Sequence, residues 1–136
     1  MRPRSILLVP QAAAVVLLLT TVAYALQVRE YDPSWVAPAK AASKPNPLTG
    51  RSDAEPGGRK IFQQRCASCH ADDGRGTSKG PDLTQADIQS ESDGALFWKM
   101  TSGNTRAGMP TFSFLSEAQR WQLVLHLRSL AKRPER

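Results

Sequence analysis

Both cysteines of the chain, and one of its two histidines, fall within five residues: Cys66-Ala67-Ser68-Cys69-His70. Two thiols three positions apart cannot staple distant parts of a fold together, because a disulfide stabilises mainly by closing a long loop. Any core must therefore be held by something else. The chain has 136 residues, and the part of it patterned for a globular domain, 52–136, is near the size at which a hydrophobic core alone is marginal. Three soft ligand atoms beside a small core direct attention to a bound group that would fill the middle.

The N-terminus is set apart by its composition. Residues 5–26, SILLVPQAAAVVLLLTTVAYAL, carry no charge and are mostly aliphatic, with Arg2 and Arg4 ahead of them and Ala23-Tyr24-Ala25 near their end. A positive start, an apolar middle and small residues at the exit describe an export signal. The run also has the roughly 20 residues a bilayer span requires. Cleavage after Ala25 is the preferred reading and a retained anchor the alternative; both export the rest of the chain, to the periplasm in a bacterium. No cysteine follows the run, so a lipoprotein anchor does not fit.

Residues 26–51 have no helical or strand period, and Pro33, Pro38, Pro45 and Pro47 punctuate them. This composition predicts an extended linker able to reach about 80 Å at ~3.1 Å per residue. Tyr31 and Trp35 read first as loop residues within it, with a membrane interface or the domain itself as the alternative resting places. From Ser52 onward three helical patterns are separated by turn-rich stretches. The first follows Pro56, which suits an initial helical position, and carries Ile61, Phe62 and Cys66. The second starts near Asp93 and runs through Leu96, Phe97 and Met100 to Gly103. In the third, Ser116 and Gln119 match a capping box ahead of the stripe Trp121, Val124, Leu127 and Leu130, with Pro134 just beyond. No segment alternates as a strand. The expected class is all-α, in three parts: signal or anchor 1–25, linker 26–51 and a small helical domain 52–136.

Positions i, i+3 and i+4 share one face of a helical turn. Cys66 and Cys69 there can each add to a vinyl group on one edge of a haem, with His70 beneath the ring to reach iron; C-x-x-C-H is the signature of that covalent attachment. Two other chemistries compete. Zinc asks for four ligands, and the only other histidine, His126, lies on the apolar stripe of the third helix. A redox-active thiol pair belongs at a strand-to-helix turn, and no strand is evident. A haem iron used for electron transfer takes a second axial ligand, commonly methionine. Met1 belongs to the signal and Met100 shares a helix face with Leu96 and Phe97, whereas Met109 sits in a loop between Gly108 and Pro110. Met109 is accordingly the second candidate ligand.

Residues 56–136 resemble the class I c-type cytochromes, in particular short bacterial monohaem domains. The motifs follow in order: Gly58 and Phe62 before C-x-x-C-H, then Gly80-Pro81-Asp82-Leu83, then Gly108-Met109-Pro110, then W-x-L-V-x-x-L-R-S-L at 121–130. The resemblance implies a small cytochrome c fold, three main helices and loops around one covalent haem c. It implies that the Pro81 carbonyl accepts the Nδ1–H of His70, a partner outside the iron's own ligand set, and that Gly58 and Phe62 lie where the first and last helices cross. One departure is His126, where the family often has an aromatic; its expected role is helix packing with a satisfied nitrogen.

Function follows as an expectation. With His70 and Met109 both on iron, no coordination site is open to a substrate, which argues against peroxidase or oxygen chemistry. The chain then reads as a one-electron carrier rather than an enzyme, with an exposed haem edge implied by the resemblance and redox proteins as short-lived partners. A dedicated electron-acceptor subunit of a dehydrogenase or oxidase is the alternative, and a thiol–disulfide oxidoreductase using Cys66 and Cys69 a remote one. The formal net charge of +6 comes without the interleaved basic and aromatic residues of a nucleic-acid site. Charge is instead polarised: six acids lie between Asp72 and Asp93, and Arg128, Lys132, Arg133 and Arg136 crowd the C-terminus. These are expected to be two solvated surfaces.

Overall fold

The computed structural model describes residues 31–131. The expected signal or anchor, residues 26–30, and Pro134 lie outside the described residues. Among these the fold is helical, with two isolated bridges and no strand. Six helices follow in order: α1 Ala39–Ala42, α2 Glu55–Arg65, α3 Ala67–His70, α4 Ala86–Gln89, α5 Asp93–Ser102 and α6 Glu117–Leu130. Single 3₁₀ turns at Ser52–Ala54 and Thr105–Ala107 precede α2 and Met109. No helix among the described residues is long and apolar enough to cross a membrane. The class is all-α, as expected, and α2, α5 and α6 are the three main helices.

Each main helix begins and ends for a local reason. Pro56 occupies the first turn of α2, where a missing N–H costs nothing. Ser92 caps α5 by accepting from Ala95 N–H, and Gly103 ends it at φ +65°. A side chain at Gly103 would meet the Pro110 carbonyl at 2.6 Å, so this glycine allows the chain to fold back on itself. Both halves of the Ser116–Gln119 capping box form at the start of α6.

The α2–α6 crossing organises the core. A Cβ on Gly58 would lie 2.0 Å from the Gln122 carbonyl oxygen, so only glycine admits this approach of the two backbones. One turn on, Phe62 is wholly buried and the His126 ring lies 5.0 Å from it, centroid to centroid. His126 Nδ1–H donates to Glu55 Oε1 at 2.7 Å, the packing role with a satisfied nitrogen expected of it. Phe97 of α5 stacks on Trp121 of α6 at 4.0 Å, closing the third side. Burying a side chain of this size contributes about 1.5–3 kcal/mol.

Two expectations change. The stretch expected to be an extended linker is, from Tyr31 onward, laid against the domain. Ala37 and Asn46 are buried, and Asn46 donates to the Trp121 carbonyl at 3.4 Å. Ser92 Oγ–H donates to the Ala42 carbonyl at 2.6 Å, and a Cβ on Gly94 would meet the Ala41 oxygen at 2.3 Å, so α1 sits on the start of α5. Proline here sets turns rather than reach. Of the charges expected to be solvated, some are paired, while Lys132, Arg133 and Arg136 lie outside the described residues. Arg128 pairs with Asp93 at 2.8 Å and donates to the Gln89 carbonyl at 2.7 Å, while Glu91 pairs with Lys99.

Candidate cofactor site

Cys66 caps α2, its N–H donating to the Phe62 carbonyl at 2.8 Å, and the chain turns at once into the single turn of α3. Within that turn His70 N–H donates to Cys66 O at 2.9 Å, which holds the two cysteines and the histidine on consecutive steps. Ala71 then takes φ +62°, a left-handed value that is costly for a residue with a side chain, and the chain reverses. Gly76 N–H returns to the His70 carbonyl at 2.9 Å and Thr77 Oγ1–H to the Cys69 carbonyl at 2.6 Å. The returning loop thus grips the backbone of the C-x-x-C-H turn.

That loop also fixes the imidazole. His70 Nδ1 lies 2.9 Å from the Pro81 carbonyl oxygen. A carbonyl only accepts, so the proton is on Nδ1 and Nε2 keeps its lone pair. A Cβ on Gly80 would stand 2.9 Å from His70 Cε1, so the residue before Pro81 must be glycine for the ring to rest there. Burial pushes the His70 pKa below its ordinary value, and the Pro81 bond offsets only part of this. The ring is neutral at neutral pH, the form that binds a metal.

Met109 is held by a different device. Its N–H donates to the Asn104 carbonyl at 2.9 Å and its carbonyl accepts from Asn104 N–H at 3.0 Å, closing a small ring around the 3₁₀ turn. Gly108 supplies the φ of +82° that the ring needs. Phe112 N–H then donates to the Met100 carbonyl at 3.0 Å, tying the loop to α5.

These residues line one cavity of about 260 Å³, to which Cys66, Cys69, His70, Pro81 and Met109 all contribute. Phe62, Leu96, Met100, Leu123 and Leu127 supply much of the remaining wall, and Met100 is otherwise a buried core residue, as expected. The donor set fits a haem c: two unbridged thiols, an imidazole whose outer nitrogen is already tied, a thioether, and apolar walls. It suits other chemistry poorly. Burial, with Cys69 adding to it, pushes the Cys66 thiol up to about 12, so it is not the thiolate that disulfide exchange requires. Among the described residues no group of three or more His, Cys, Asp or Glu is arranged to hold a metal ion.

Several wall residues were not anticipated. Tyr31, Trp35, Glu91 and Lys99 also line the cavity. Lys99 had a signal available: it is the one charge inside the apolar stretch Ala95-Leu96-Phe97-Trp98-Lys99-Met100. Tyr31 and Trp35 had none, because nothing local marks a contact made across more than fifty positions, and Glu91, eight positions before Lys99, is one acid among several in its stretch.

Residues 53–127 match the family model described as cytochrome c oxidase, cbb3-type, subunit III. The match spans more than half of the chain, and the chain belongs to this family of c-type cytochrome domains. Haem is the cofactor that membership implies, and haem-based electron transfer its chemistry. A comparison with curated proteins finds no match to the chain.

Proposed function

We propose that the domain is a one-electron carrier in an exported chain, with a single haem c joined through thioethers to Cys66 and Cys69 and ligated axially by His70 and Met109. The observation that carries this reading is the 2.9 Å contact between His70 Nδ1 and the Pro81 carbonyl, which leaves Nε2 as the ring's free donor on a cavity that Met109 also lines. Bound there, haem supplies a reversible Fe(III)/Fe(II) couple. The protein's part is positional. The cysteines fix one edge of the group, Pro81 orients the imidazole, the Asn104–Met109 ring presents the thioether, and the apolar wall excludes water. With His70 and Met109 both holding the iron, no coordination site would be left for a substrate, which is why we read the chain as a carrier and not an enzyme.

The test is spectroscopic. Protein matured in a host competent for c-type haem is expected to show sharp reduced-state bands and to keep haem stain on a denaturing gel. Met109→Leu should keep the stain, lose the sulfur–iron charge-transfer band and lower the potential. Colourless wild-type protein from that host would refute the reading.

A second reading is supported by the description of the family, that of an oxidase subunit: the domain serves as the dedicated electron acceptor within a membrane or periplasmic complex. Co-purification with a catalytic subunit would favour it, and a free monomer would favour a shuttle. In both readings residues 1–25 act as signal or anchor, redox proteins are the partners, and the haem domain begins near Ser52 with the preceding residues packed onto it.

A further inference from the structure

The family match begins at residue 53, yet the cavity has walls that come from outside it. Tyr31, Asp32 and Trp35 line it, all from the segment that the sequence marked as linker. They meet there a group that is costly to bury, the Lys99 ammonium, whose residue is only 6% exposed. Its Nζ donates to Tyr31 Oη at 2.9 Å and to the Glu91 carboxylate, while the Tyr31 hydroxyl donates to the same carboxylate. The Tyr31 and Trp35 rings lie 4.8 Å and 5.0 Å from Nζ, within cation–π range, and Trp35 also packs on Trp98 at 6.4 Å. Burial, reinforced by the bond to Glu91, pushes the Tyr31 phenol above its ordinary value, so it keeps the proton it donates. A charged pair against an apolar cavity thus has its cover and its third hydrogen-bonding partner supplied by a segment some sixty residues away.

We propose that Tyr31 and Trp35 are positioning residues for the cofactor: they fix the Lys99–Glu91 pair in the cavity wall and keep water from it, and through that pair they set the reduction potential. The inference rests on the reading of this cavity as the haem site. A fixed ammonium beside the cavity favours the electron-rich state of whatever is bound there, and a carboxylate opposes it. The Tyr31 hydroxyl stands between the two charges, accepting from the ammonium and donating to the carboxylate, and so sets how strongly each acts on the cavity. Trp35 contributes area, which keeps the local dielectric low and the charges effective.

The experiment is an equilibrium redox titration of full-length holoprotein at one pH and ionic strength, with Tyr31→Phe, Trp35→Ala, Trp35→Phe and Val36→Ala. Val36 is 71% exposed on the same segment and serves as the control. Tyr31→Phe keeps its ring, so it leaves the packing in place while removing both hydrogen bonds to the pair, and its midpoint potential is expected to move from the wild-type value. Trp35→Ala should fall through admitted water, Trp35→Phe should recover much of that shift, and Val36→Ala should match the wild type. The sulfur–iron band should persist throughout, which separates a tuned wall from a lost ligand. Unmoved potential in Tyr31→Phe and Trp35→Ala would overturn the proposal, and if Trp35→Ala fails to mature, Tyr31→Phe alone decides it. Wild-type protein without haem would instead overturn the haem reading itself.

Discussion

At the scale of single residues, the two histidines show how identical side chains acquire different work. The carbonyl of Pro81 can only accept, so it fixes one tautomer of His70 and frees Nε2. Glu55 instead ties His126 into the α2–α6 crossing, with Ser129 Oγ–H donating to the same oxygen at 3.1 Å. Burial raises the Glu55 carboxyl, but the bonds from His126 and Ser129 outweigh it and hold its pKa below the ordinary 4.5. A folded-state pKa below the unfolded one stabilises the fold above the unfolded value, and that contribution is lost as pH falls through the folded value. Glu55→Gln should therefore be less stable than wild type near neutrality, by about 1 kcal/mol for a weakened hydrogen bond to a charged group. The gap should close as denaturant melts are taken from neutral pH to below 4.5; a constant gap across that range would contradict the assignment.

At the scale of elements, two substitutions separate local from tertiary control. Ser116→Ala removes one arm of the capping box on α6 and is expected to cost about 1 kcal/mol in a urea melt. Gly58→Ala improves intrinsic helix propensity in α2, yet its Cβ would lie 2.0 Å from the Gln122 oxygen. Overpacking of this kind costs roughly 1–3 kcal/mol, so the variant should melt earlier despite the better helix former. These elements were legible in the sequence because their signals are local: a cap at Ser116, a proline at the start of α2, a glycine after α5, and stripes at helical spacing between them. The C-x-x-C-H turn and the Met109 loop were legible for the same reason. The packing of residues 31–51 was not, since Tyr31 meets Glu91 and Asn46 meets Trp121 across the whole domain. Prolines and alanines without period look the same whether the chain is free or laid on a surface whose partners lie far along the sequence.

At the scale of the whole molecule, the helices enclose a cavity of about 260 Å³ where a domain of this size needs its core. Side chains lining such a space lack packing partners on one side unless a bound group supplies them. On the reading proposed above, a haem in this cavity would be a structural member as well as a redox centre. Cys66→Ala/Cys69→Ala, which removes both of the attachment points that we propose, should show weaker helical circular dichroism and a broad, weakly cooperative melt. A sharp transition at the wild-type temperature would mean that the polypeptide closes its own core. The buried Lys99–Glu91 pair belongs to the same scale, because it brings together α5, the loop before it and a segment outside the family match.

The seating of Tyr31 against the cavity also sets a length. A free linker from residue 26 to 51 would have let the domain roam about 80 Å at ~3.1 Å per residue. With the chain already fastened at Tyr31, only residues 27–30 separate it from the apolar run, and the five Cα steps from Leu26 to Tyr31 extend at most about 18 Å. If that run stays in a bilayer, the accessible volume shrinks by roughly a hundredfold, and the local concentration felt by a partner in the same membrane rises accordingly. The domain would then be held on a short leash, and its electrons would go to neighbours rather than to distant acceptors.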